Sequence, residues 1–210
     1  MGDMTTDATN GAPVIDGRRA RRERGRIAVI DAVFELAEEG KMPVTAELVA
    51  ERSGVSVASI FRYFDGLNDL QLQTYRRFRE RYAPLVRAVT DGPRSDRVSA
   101  LVEVRLDLYE QAGAMMALGR LRALEHAPLL EASSETKAAL ADQVRATLAP
   151  DTRDSTPGRV AELVAVVDAF TSVEAWDVMR KTHARSRAQI ATTWRRGVTA
   201  LIDDWERDGT

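Results

Sequence analysis

The chain has 210 residues, 44% of them hydrophobic and 30% charged, enough apolar material for a folded core. It has no cysteine, which excludes disulfides and thiolate metal sites, and no run near the ~18 apolar residues of a membrane span. A net charge of −2 excludes a uniformly basic surface, so any contact with nucleic acid has to come from a local patch.

Residues 1–17 are rich in Gly, Thr, Asp and Asn, without periodicity, and are expected to form a disordered tail. They lack the apolar segment of a secretory signal, so a cytoplasmic location is expected. Arg18, Arg19, Arg21, Arg22, Arg24 and Arg26 follow, opposed only by Glu23. Such a run can be a solvated tail; beside a DNA-binding motif, contact with phosphates is the favoured reading. A helix is expected over 21–39, with Ile27, Ile30, Phe34 and Ala37 on one face and Gly40 ending it.

The segment 45–64, TAELVAERSGVSVASIFRYF, reads as two short helices around a tight turn. Gly54 supplies the left-handed residue, and Ser56 stands where the second helix needs an N-cap. This is a helix-turn-helix, whose second helix can enter the major groove of DNA. A longer helix is expected over 67–82, with Asn68 and Asp69 in its first turn and arginines toward its far end.

The remainder also reads as helical: 95–111, 115–126, 129–148, 159–182 and 186–207. No alternating strand pattern of useful length and no internal repeat is found. The expected fold is all-α, about nine helices, with a three-helix helix-turn-helix domain over 18–66 and a larger helical domain over 67–210. On the last helix Ile190, Trp194, Val198, Leu201, Ile202 and Trp205 follow a three-four rhythm, as do Leu163, Val164, Val167, Phe170, Val173 and Trp176 on the one before. Two readings stay open, a core of the same chain and a four-helix dimer interface. The interface reading assigns Val167, Ile190, Trp194, Val198 and Leu201 to contact with a second copy.

With Thr45, Leu48, Val49, Ala50, Ser53, Gly54, Val55, Ser56, Ile60, Phe61, Tyr63, Phe64, Asp69 and Leu70 in this order, the first third of the chain resembles the tetracycline-repressor (TetR) family of bacterial transcription regulators. The resemblance implies a homodimer that binds a palindromic operator and releases it when a small molecule enters the C-terminal domain. It implies that Thr45 and Ala46 meet a phosphate, and that Ser56, Val57, Ala58 and Ser59 approach the groove. Arg62 is expected to read a base edge, since a guanidinium fits guanine O6 and N7. Tyr63 is expected on a phosphate, Phe61 on the DNA side, and Arg22 among the phosphate contacts. The chain departs from the family pattern at Phe61 for tyrosine, Ala58 for glycine and Leu67 for lysine. The last departure removes one phosphate contact, which the N-terminal arginines are expected to replace.

An effector pocket is expected among the helices of 95–182, with Arg105, Tyr109, Met115, Arg122, His126, Phe170 and Trp176 as candidate lining and an apolar or aromatic effector. No cofactor and no metal site is expected. No H-E-x-x-H, G-x-S-x-G, phosphate-binding glycine loop or dinucleotide fingerprint is present, so an enzyme is disfavoured. The rival reading is a helical small-molecule- or partner-binding protein whose helix-turn-helix does not act on DNA.

Overall fold

The computed structural model describes residues 14–207. Among these, every regular element is a helix. The expected tail over residues 1–17 falls mostly outside the described residues, but where it overlaps them the chain is already helical. Helix α1 runs Val14–Glu38, so the arginine run is part of a helix and not of a tail. Its core stripe is Val29, Ala32, Val33, Phe34, Leu36 and Ala37. Ile27, expected on that stripe, is exposed, because the buried face follows the 29–33–36 spacing. Gly40 takes φ +70° and ends the helix, with Lys41 N–H donating to the Leu36 carbonyl.

Two short helices follow. Helix α2, Ala46–Ser53, starts at Thr45, whose hydroxyl accepts from Leu48 N–H, and stops at Gly54 with φ 68°. Helix α3, Val57–Tyr63, starts at Ser56, whose hydroxyl accepts from Ser59 N–H. Val49, Ile60 and Phe64 are buried with the α1 stripe, which makes the three helices one small core. Arg52 ties α2 to α1 through Glu35 at 3.0 Å and Glu39 at 2.7 Å. Arg52 first and Lys41 second hold the Glu39 carboxyl at a pKa of about 2, far below the usual 4.5.

Helix α4 spans Gly66–Tyr82. By its internal contacts the chain divides into two units after Leu70, within this helix. The second unit holds a 3₁₀ turn over Ala83–Val86 and helices α5 (Arg94–Ala123), α6 (Ala127–Leu148), α7 (Pro157–Phe170), α8 (Val173–Asp177) and α9 (Arg187–Arg207). Helix α5 packs against both α6 and α9, and α7 packs against α6 and α9. Their shared core contains Val98, Leu101, Val144, Leu148, Leu163, Val164, Val167, Val198 and Ile202.

Two expected boundaries move. The helices expected over 95–111 and 115–126 are one, α5. Gly113 inside it costs about 1 kcal/mol relative to Ala, but a Cβ there would stand 3.1 Å from the Trp176 ring, so the glycine admits the indole. The single helix expected over 159–182 is broken at Thr171 and Ser172. The Thr171 carbonyl is taken by the Tyr109 hydroxyl at 2.9 Å, and Ser172 caps a new start by accepting from Ala175 N–H. A turn of π-helix over Val178–Thr182 completes the segment.

The residues assigned to a dimer interface lie in or on the core of their own chain. Val167, Ile190, Trp194 and Val198 are fully enclosed by their own chain, and Leu201 packs half-buried on the same core. Their three-four rhythm is satisfied inside the subunit by α5, α6 and α7. Phe170 lies over Gly197 of α9, where any Cβ would fall on its ring.

Candidate DNA interface and effector cavity

Helix α3 and its C-cap residue bury Ile60 and Phe64, and the helix turns Ala58, Phe61 and Arg62 outward. Val57, Ser59 and Tyr63 are half-buried beside them. Phe61 is 48% exposed, unusual for a phenyl ring and available to an apolar partner such as a thymine methyl. The Arg62 guanidinium rests on its own helix, donating to Ser59 Oγ at 2.9 Å and lying over the Tyr63 ring at 5.7 Å. Ser56 Oγ and Ser59 Oγ are 3.0 Å apart, so the first turn of α3 is a small exposed hydroxyl cluster. Thr45 and Ala46 stand half-buried at the start of α2. Of the departures noted above, Phe61 and Leu67 both face solvent.

The last turn of α3 is held from α1. Arg22 Nη2 donates to the carbonyls of Arg62 at 3.3 Å and Tyr63 at 3.5 Å, and Arg26 Nη1 donates to Tyr63 O at 3.1 Å. Cations at the C-terminal end of a helix satisfy its free carbonyls and oppose its dipole. Arg26 also lies 5.2 Å over the Phe64 ring. The Tyr63 ring leans on Gly25, where a Cβ would stand 2.5 Å from Cε2. Arg22 therefore positions α3 in this structure, a role that sequence reasoning missed. The pattern Arg22–x₂–Gly25–Arg26, one face of a helix, was the available signal. Arg18, Arg19, Arg21 and Arg24 stay exposed on α1.

The second unit contains a cavity of ≈ 250 Å³. Of the seven expected lining residues, Arg105 and Tyr109 line it. Both are buried, and Arg105 is nearly fully occupied. It donates to Gln143 at 2.8 Å, the Tyr109 hydroxyl at 2.9 Å, the Leu140 carbonyl at 2.7 Å and Asp168 at 2.9 Å. Burial pushes the Tyr109 phenol pKa up. Met115, Arg122, His126, Phe170 and Trp176 are not on the wall. Met115 is core, with its neighbour Met116 on the cavity instead, and Trp176 packs on Tyr109 and Gly113.

The wall residues that sequence reasoning missed are chiefly Tyr75 and Phe78 on α4, Thr136 and Lys137 on α6, and Asp168 on α7. Tyr75 Oη and Thr136 Oγ1 are 2.5 Å apart, and the Tyr75 and Phe78 rings stack at 5.6 Å. The aromatic spacing Tyr75–Phe78–Tyr82 was the legible trace of this wall. Among the described residues no group of His, Asp or Glu could hold a metal ion.

The sequence matches no protein-family model and no curated protein. Solved structures do match. A TetR-family transcriptional regulator from Streptomyces coelicolor superimposes with a TM-score of 0.72 at 17% identity, covering 87% of this chain and 82% of that one. A transcriptional regulator from a Rhodococcus species follows at 0.66 and 19%, covering 87% and 96%. The chain has the TetR-family fold. The multidrug binding protein EbrR, solved with imidazole, shares this fold at a TM-score of 0.56 and 21% identity, covering 86% and 94%. In keeping with that fold, every regular element among the described residues is a helix. No helix among the described residues is long and apolar enough to cross a membrane.

Proposed function

We propose that this protein is a DNA-binding transcriptional regulator that grips a palindromic operator as a homodimer and lets go when a small molecule fills the cavity. The observation that carries the reading is the outward face of α3. Ala58, Phe61 and Arg62 are exposed together, on a helix capped by Ser56 and braced by Arg22 and Arg26. A helix so short is marginal alone; bracing it at both ends makes a reading head. In the complex Arg62 exchanges Ser59 for a guanine edge, Phe61 packs on a thymine methyl, and Thr45, Ala46 and Tyr63 meet phosphates.

Two reading heads need groove entries roughly 34–36 Å apart, or a multiple of that. Since Val167, Ile190, Trp194 and Val198 are used up inside the subunit, the second copy is assigned to the outer faces of α7 and α9. There Ala165, Val166, Ala169, Thr192, Thr199 and Ala200 are exposed. Release works through α4, which carries Tyr75 and Phe78 on the cavity wall. A ligand that prefers one placement of α4 shifts the equilibrium only by its difference in affinity for the two states, typically ~1–3 kcal/mol. A cytoplasmic, non-enzymatic role fits this reading.

The test is selection of duplexes from a randomised pool, followed by mobility shift. The expected outcome is enrichment of an inverted repeat bound by two chains. A folded protein that enriches nothing at low salt would return the function to the rival, a helical binding protein that does not use its helix-turn-helix on DNA.

A further inference from the structure

The cavity's charges and poorly met hydrogen bonds narrow the class of molecule it takes. At ≈ 250 Å³ it lies just below the range of about 300–1,000 Å³ usual for drug-sized ligands. Its apolar and aromatic lining includes Tyr75, Phe78, Met116 and Leu140.

Five charged residues line it: Arg105, Arg120, Lys137, Asp168 and Glu174. The first pair is closed, because Arg105 and Asp168 meet at 2.9 Å. Arg120 is held loosely, at 3.5 Å from Glu174 and 3.4 Å from Asp177. Its Nη1 is enclosed, and Glu174 Oε1 at 3.5 Å pairs with it at a distance too long for a good hydrogen bond. A closer acceptor arriving there is favoured, because an enclosed donor without a well-formed bond is costly. Lys137 is exposed on α6 and has no ion-pair partner among the described residues. The wall therefore carries one cation without a carboxylate partner, Lys137, and a guanidinium whose carboxylate contacts are long. An amine entering here would add another positive charge. At Glu174 it would compete with Arg120.

We propose that the cavity takes a small, largely apolar carboxylate, its tail on Tyr75, Phe78, Met116 and Leu140 and its head group between Arg120 and Lys137. The proposal rests on the effector role given to the cavity above, and adds the sign of the effector's charge. A carboxylate supplies acceptors to both donors, and charge-assisted bonds of this kind are the strong ones.

Calorimetric titration of the full chain with phenylacetate, octanoate, phenylacetamide and phenethylamine tests it. The carboxylates are expected to bind at least about tenfold more tightly than the amide, with the amine weakest. Lys137→Gln, a change at an exposed position, should weaken the carboxylates by about tenfold and leave the amide unchanged. Tighter binding of the amine, carboxylate affinity indifferent to Lys137→Gln, or no saturable binding of either carboxylate would each overturn the proposal. A mobility shift run in parallel separates the two claims. An amine that binds and releases DNA refutes the carboxylate but keeps the regulator, whereas carboxylate binding by a protein that shifts no duplex does the reverse.

Discussion

Gly25 decides where Tyr63 can lie. A methyl group at position 25 would meet the ring 2.5 Å from Cε2, and the far end of that ring is the part that can swing aside. Gly25→Ala is therefore expected to leave the protein folded and to lower DNA affinity by about tenfold, about 1.4 kcal/mol, through a displaced Tyr63. Fluorescence anisotropy beside circular dichroism reads both, and an unchanged affinity would show that Tyr63 is not a DNA contact. Arg105 acts differently, since its partners are buried with it. Arg105→Met strips Gln143, the Tyr109 hydroxyl and Asp168 of a donor at once. It should cost about 3 kcal/mol in a urea titration. A loss below about 1 kcal/mol would mean that water or a ligand replaces the guanidinium.

At the scale of elements, the α1–α2 tie gives the N-terminal unit a signature in acid. Glu39 has a pKa of about 2 when folded and about 4.5 as its ordinary value. A depressed carboxyl stabilises the fold above pH 4.5, and the contribution disappears as pH falls from 4.5 through about 2. Wild type and Glu39→Gln are expected to differ in thermal midpoint at neutral pH and to converge near pH 2; a constant difference across that window would remove Arg52 and Lys41 as the cause. The same scale explains what could be read early. Thr45, Gly54 and Ser56 define α2 and α3 because caps are local chemistry, set within three or four residues. The cavity is built from α4, α5, α6, α7 and α8, so its wall depends on packing that no single segment encodes. Met115 and Met116 are equivalent by composition, and only the placement of α5 sends one to the core and the other to the cavity.

For the whole molecule, the three-four rhythm of α9 reported correctly that a face is buried, but not what buries it. Trp194, fully enclosed, packs edge-on to Tyr109 at 6.2 Å inside the subunit. A charge at Trp194 would thus unfold the chain rather than split a dimer. Val166, 48% exposed on α7, is the position that separates the two events. Val166→Asp is expected to give a folded monomer in sedimentation with strongly reduced operator affinity. A variant that stays dimeric would place the partner on another face.

The central claim, that α3 reads bases, is tested most directly by comparing Arg62→Ala with wild type on the selected operator and on a scrambled duplex of equal length. The expected result is a loss of ~1–3 kcal/mol on the operator alone, with specificity relaxed at one guanine per half-site and scrambled-duplex affinity nearly unchanged. Equal losses on both duplexes, or none on either, would contradict it.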